Sequence, residues 1–151
     1  MLKTALQQLF QRDLLKLKAE IAAYQNETLL WKIDKEIKNS GGNLCLHLIG
    51  NLNTYIGNGL TDMGYVRQRD FEFAGKNVAR TDLYVAIDET IAIVQQGIEN
   101  LTEAQLQGNF PIVIWDEPTT TYFTLIHLHG HLTYHLGQIN YHRRLLDKET
   151  I

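Results

Sequence analysis

The sequence predicts an all-α protein built as a four-helix bundle. Three observations predict it. Four long segments carry apolar residues at helical spacing, no segments read as paired strands, and proline occurs only twice, at Pro111 and Pro118, within one stretch between helices. The 151 residues suit one domain, 1–151, with a sizeable core.

Residues 2–24 form the first expected helix. Leu2, Leu6, Leu9, Phe10, Leu14, Leu17, Ile21 and Tyr24 recur at helical spacing until Asn26-Glu27 breaks the pattern. Leu29, Leu30, Trp31, Ile33 and Ile37 form a short apolar segment, read as a helical turn. A loop follows, and its Ser40 is a suitable N-cap for a second helix over 41–57. That helix carries Leu44, Cys45, Leu48, Ile49, Leu52 and Ile56 on one broad face, with His47 at its edge between Asn43 and Asn51. Gly57 and Gly59 are expected to end it. Residues 58–80 are too long for a simple turn and read as a crossover. Its Arg67, Arg69, Asp70 and Glu72 form either a surface ion network or the flank of a substrate entrance. A third helix, 82–100, starts from a Thr81 cap and repeats Leu83, Ile87, Ile91, Val94 and Ile98. Residues 101–118 are a second long connection, with Phe110 to Trp115 extended over one end of the core. The fourth helix takes Thr119, Thr120 or Thr121 as its cap and runs to 147, where Arg143, Arg144 and Lys148 suit the negative end of its dipole.

Composition excludes several classes of function. A net charge of −3 with no basic cluster longer than a pair argues against nucleic acid as a partner. No run of 18 apolar residues is present to span a membrane, and the first residues lack the apolar core of a signal peptide. A single cysteine, Cys45, leaves no internal disulfide, and the chain is expected in the cytoplasm.

The segment with the most chemistry is LIHLHGHLTYHLGQINYHRRLL, Leu125 to Leu146, which holds five of the six histidines. At about 100° per residue, His127, His131, His135, Gln138 and His142 share one arc of the helix. Leu125, Leu128, Leu132, Leu136 and Ile139 fill the adjoining arc. Gly130, Tyr134, Gly137 and Tyr141 form a third, where another helix can come close. The helix is therefore expected to be central and largely buried. A buried imidazole needs a partner, because an unpaired polar group costs roughly 1–3 kcal/mol. His131 and His135, four residues apart, set both rings on one side of the helix one turn apart. Such a pair either binds one transition-metal ion or hydrogen-bonds within the core. For His47 the same choice stands, with Asn51 as the core partner. In a bundle the second and fourth helices both face the core, which brings His47 toward His131 and His135. No carboxylate lies on the histidine stripe to act as a base, and Cys45 falls off the His47 arc as a small core residue.

KNSGGNLCLHLIGNLNTYIG (38–57), GYVRQRDFEF (64–73) and HLHGHLTYHLGQINYHRR (127–144) together resemble the DinB-like family of bacterial four-helix bundles over nearly the whole chain. The most specific part is HxxYHxGQI, here His131 to Ile139. In that family one histidine of the second helix and two of the last bind a divalent metal, and the matching positions are His47, His131 and His135. The resemblance implies an up-up-down-down order of helices and a homodimer. It implies a metal-dependent enzyme as well: a transferase or isomerase using a low-molecular-weight thiol, with a hydrolase as a variant. The alternative is a non-catalytic dimeric module. Three imidazoles without cysteine suit Zn²⁺, Ni²⁺, Fe²⁺ or Co²⁺. Asn51, Gln138 and His142 are candidates for orienting the ligands or touching a bound molecule, and His127 for a fourth ligand.

Overall fold

The computed structural model describes residues 2–148. Among them the chain is helical throughout its regular structure. The long helices are α1 (Leu2–Ala23), α2 (Gly41–Leu52), α4 (Arg80–Glu99) and α6 (Thr121–Leu146). Two short ones, α3 (Arg69–Ala74) and α5 (Glu103–Gln107), sit in the connections. The expected turn after α1 is a 3₁₀ helix at Glu27–Trp31, with Leu30 and Trp31 buried.

α1 turns Leu6, Phe10, Leu14, Leu17 and Ile21 inward, at the spacing its sequence shows. Fully burying each such side chain contributes roughly 1.5–3 kcal/mol. α1 packs on α4 and α6, and α2 packs on the same two helices. Cross-helix hydrogen bonds fix the directions. Lys3 Nζ donates to the Glu99 carbonyl (3.0 Å) and Arg80 Nη1 donates to the Ala22 carbonyl (3.1 Å), so α1 and α4 are antiparallel. Asp13 accepts from His129 Nε2 (2.8 Å) and Glu20 accepts from Arg143 Nε (2.8 Å), so α1 and α6 run the same way. Asn53 Nδ2 donates to Thr90 Oγ1 (2.9 Å), and further along both segments Gly97 faces Ile56, so the α2 segment and α4 are parallel. α2 begins where α1 and α6 end, with Gly41 packed against Tyr24 and His142.

The order is therefore up-down-down-up, in place of the up-up-down-down order that the resemblance implied. The physical reason lies in the connections. α2 and α4 are parallel neighbours, so the chain must return the full length of the molecule between them, and 62–79 is that return. Residues 100–120 join antiparallel helices at one end and cross nothing. Their ends are tied by Phe110 N–H donating to the Thr119 carbonyl (2.8 Å) and Thr121 N–H to the Gly108 carbonyl (2.9 Å). Phe110 is buried, as expected, while Trp115 is 38% exposed and packs against Phe123.

Ser40 caps α2 by accepting from Asn43 N–H, and Thr120 caps α6 by accepting from Phe123 N–H, both at 3.2 Å. Such caps are worth about 1 kcal/mol. The expected Thr81 cap is not used. α4 starts two residues earlier, at Arg80, and its Arg80 N–H donates to Glu27 Oε1 (2.7 Å) from the turn after α1. Gly57 and Gly59 do not end the second helix. It continues as a π-helix over Asn53–Thr61 and stops at Asp62, which is left-handed at φ 57°. At its start Asn53 Nδ2 donates to the Ile49 carbonyl (2.8 Å) and Thr54 Oγ1 to the Gly50 carbonyl (2.7 Å). Such side-chain bonds to i−4 carbonyls compete locally with the backbone.

α6 is less buried than its stripes imply. Its leucine side and part of its histidine side are covered, but Phe123, Ile126, Tyr134, Tyr141 and Leu145 are exposed. Among the described residues, no other part of the molecule lies within 4 Å of where a side chain would begin at Gly130 or Gly137. No helix among the described residues is long and apolar enough to cross a membrane.

Candidate metal centre

α2 and α6 cross where each carries histidine. His47 Nε2 and His135 Nε2 both lie 3.1 Å from His131 Nε2, and the ligating atoms of the three rings lie within 4.8 Å of one another. Nitrogens on a tetrahedral ion, with bonds of about 2.0–2.1 Å, stand roughly 3.3 Å apart. The three rings are already near that spacing.

Their proton positions follow from their outer neighbours. His47 Nδ1 meets Glu72 Oε1 at 3.0 Å. A carboxylate only accepts, so Nδ1 carries the hydrogen and Nε2 is a bare lone pair. His135 Nδ1 meets Gln138 Oε1 at 2.7 Å. With the amide oxygen turned inward, Nδ1 again carries the hydrogen and Nε2 is bare. His131 has one hydrogen for two bare neighbours, and its buried Nδ1 has no hydrogen-bond partner among the described residues. Hydrogen bonding among the three rings therefore leaves at least one lone pair unsatisfied. A cation at their centre satisfies all three, and this is the observation by which the residues fit a metal.

Burial pushes His47 below the ordinary histidine range, with the Glu72 hydrogen bond pulling partly back. Burial, reinforced by His135 and His47, pushes His131 down to about 4. Both are neutral at pH 7, as a ligand must be.

Glu72 is the residue that periodicity did not find. It reaches the centre from α3, inside the crossover, and is only 4% exposed. Arg67 grips it with two hydrogen bonds, Nε to Oε2 and Nη2 to Oε1, both 2.8 Å. The network expected at the surface is thus half buried: the Arg67 and Glu72 pair faces the histidines, while Arg69 and Asp70 stay outside. Asn43 holds α3 in place, its Nδ2 donating to the carbonyls of Glu72 (3.0 Å) and Gly75 (2.7 Å). Gly50, one turn beyond His47, leaves the room: a side chain there would begin 2.2 Å from Glu72 Oε2. Gly50 and the second acidic residue within RDFEFA were the available signals. Phe73 then lies over the His47 ring at a centroid distance of 4.9 Å.

The remaining candidates separate. Gln138 Oε1 lies 2.7 Å from His135 Nδ1, on the side of that ring away from His131. Asn51 is buried on α2, and its Oδ1 has no hydrogen-bond partner among the described residues. His142 does not face the centre. Its Nδ1 accepts from the Tyr24 hydroxyl (2.6 Å) and its Nε2–H donates to the Lys32 carbonyl (2.7 Å), so both nitrogens are used at the far end of α6. His127 lies edge-on to Trp115 at 4.7 Å and is outside the ligating group. His129 points to Asp13, and Cys45 is fully buried, its thiol pushed up to about 12 by burial.

Three convergent imidazoles on a helical frame, with outer partners on two of them, define a candidate transition-metal centre of open form. The chain belongs to the family described as "Protein of unknown function (DUF1572)", which matches residues 2–151. No curated protein and no solved structure matches it.

Proposed function

We propose that the chain is a metal-dependent enzyme of the DinB-like kind, with a divalent ion held by His47, His131 and His135. The observation that carries this is the convergence of three Nε2 atoms, two of them bare by their outer hydrogen bonds. Zn²⁺ and Ni²⁺ fit the all-imidazole set best, with Fe²⁺ and Co²⁺ next. When bound, such an ion supplies Lewis acidity that lowers the pKa of a thiol or water at its open position. The chain's own residues do the rest. His47, His131 and His135 take three positions, and among the described residues no fourth donor joins them. Phe73 shields His47 on one face, and Gln138 keeps His135 turned inward. The reaction class that this supports is transfer to, or isomerisation through, a low-molecular-weight thiol in the cytoplasm. Hydrolysis is the variant.

The test is the Co²⁺-loaded protein titrated with a simple thiol such as 2-mercaptoethanol. A new sulfur-to-cobalt absorption band is expected, because an open position exchanges its ligand. A spectrum unmoved by thiol, with chelation causing only unfolding, contradicts the enzyme and supports a structural staple.

A second reading is the dimeric module, favoured by the exposed Phe123, Ile126, Tyr134 and Tyr141 beside bare Gly130 and Gly137. A second copy covering this face suits either function. Light scattering at tens of micromolar is expected to give a dimer, and Gly130→Arg to give a monomer of unchanged helicity. A monomeric wild type contradicts the homodimer.

A further inference from the structure

Glu72 is not among the three ligating residues, yet the fold makes several provisions for it. A carboxylate 4% exposed must be paired, because an isolated buried charge is strongly disfavoured. Arg67 pairs it through both oxygens, in the two-bond geometry that suits guanidinium and carboxylate. Gly50 gives up its side chain to admit it. Asn43 binds the backbone on both sides of it. All these provisions bring one oxygen to His47 Nδ1.

We propose that Glu72, clamped by Arg67, is the positioning residue of the centre: it keeps the His47 hydrogen on Nδ1 and so keeps Nε2 bare and aimed at the other two rings. The inference rests on the metal site proposed above. Its physical basis is general. A neutral imidazole has one ring hydrogen and two sites for it. In water the two forms exchange freely, and only one presents Nε2 as a ligand. An acceptor fixed at Nδ1 selects that form before the ion arrives, and it makes the ring more basic toward the ion. Among the three rings, His131 lacks any such partner. Order in the centre therefore comes from its two outer members, and among the described residues His47 has the only charged partner.

The rival explanation is a latch that merely docks α3 on α2. Docking and positioning can be separated, because Asn43 holds α3 through backbone carbonyls that a change of the Glu72 side chain leaves in place. Two variants are compared with wild type. Glu72→Gln keeps an acceptor oxygen. Arg67→Met with Glu72→Leu removes both charges together, so that neither is left buried alone. Two quantities are read: the His47 ring nitrogens in the metal-free protein by long-range ¹H–¹⁵N correlation, and Zn²⁺ affinity by competition with a chromophoric chelator. The wild type and Glu72→Gln are expected to show His47 protonated at Nδ1. The double variant is expected to show both forms and to bind Zn²⁺ roughly 10–100-fold more weakly, the usual effect of losing an outer partner. A double variant with wild-type affinity and a pure Nδ1–H His47 overturns the proposal and leaves the latch. A wild type that binds no Zn²⁺ overturns the metal site instead, and the nitrogen signals still report whether Glu72 holds the hydrogen.

Discussion

His131→Ala is expected to abolish metal binding while the far-ultraviolet circular dichroism of the protein stays at its wild-type value. His131 is the middle ring, 3.1 Å from each of the others, so its loss leaves two ligands with nothing between them. The fall in affinity exceeds the roughly 10–100-fold typical of a lost outer partner, because a direct bond to the ion is gone. α6 itself survives. Leu128 and Leu132 beside His131 are buried and hold the helix to the core, and alanine is the best helix former. Thermal unfolding gives a second measure. A metal at a hundredfold excess over its Kd stabilises by about 2.7 kcal/mol, and for a chain of this size each kcal/mol moves Tm by about 2–4 °C. The wild type is expected to gain roughly 5–10 °C on adding Zn²⁺, and His131→Ala to gain nothing. A full metal-induced shift in the variant contradicts the assignment of His131.

Gly50→Ala is the second large effect, and its sign is the informative part. In most helix interiors glycine to alanine gains about 1 kcal/mol. At Gly50 the new methyl group meets Glu72 Oε2 at 2.2 Å and Cδ at 2.6 Å. That carboxylate cannot step aside freely, since Arg67 holds both its oxygens and Asn43 holds its backbone. Overpacking of this kind costs roughly 1–3 kcal/mol, which outweighs the helix gain. Chemical denaturation is expected to show a net loss of about 1–2 kcal/mol. Zn²⁺ affinity is expected to fall with it, because the displaced Glu72 leaves His47. A more stable Gly50→Ala with wild-type metal affinity means that Glu72 has room elsewhere and no hold on the ring.

Much of the fold is legible in the sequence where one face of a helix is buried. The repeats Leu6-Phe10-Leu14-Leu17-Ile21 and Leu83-Ile87-Val94-Ile98 place α1 and α4 within two residues at each end. The Ser40 cap and the choice of threonine before α6 follow from side-chain chemistry alone. What periodicity cannot show is contact between helices. The direction of α2 against α1 depends on tertiary bonds, and so up-down-down-up was not readable. The π segment was hidden because Asn53 and Thr54 read as ordinary helix-edge polar residues until their bonds to Ile49 and Gly50 are seen. In the centre, the spacing of His131 and His135 was visible, and His47 was legible as a polar residue on an apolar helix. Glu72 lay in a segment with no period, and the sequence offered no carboxylate to the stripe. His142 shows the opposite error. It shares the arc of His131 and His135, but seven residues further along that arc carries it to the Tyr24 end of the molecule.

Whether His47, His131 and His135 hold one ion between α2 and α6 is read from the metal content of tag-free protein by elemental analysis, wild type beside His47→Ala, each after incubation with Zn²⁺ or Ni²⁺ and removal of the excess. Near one ion per chain in the wild type and none in the variant is expected. No bound metal in the wild type, or equal occupancy in both proteins, would contradict it.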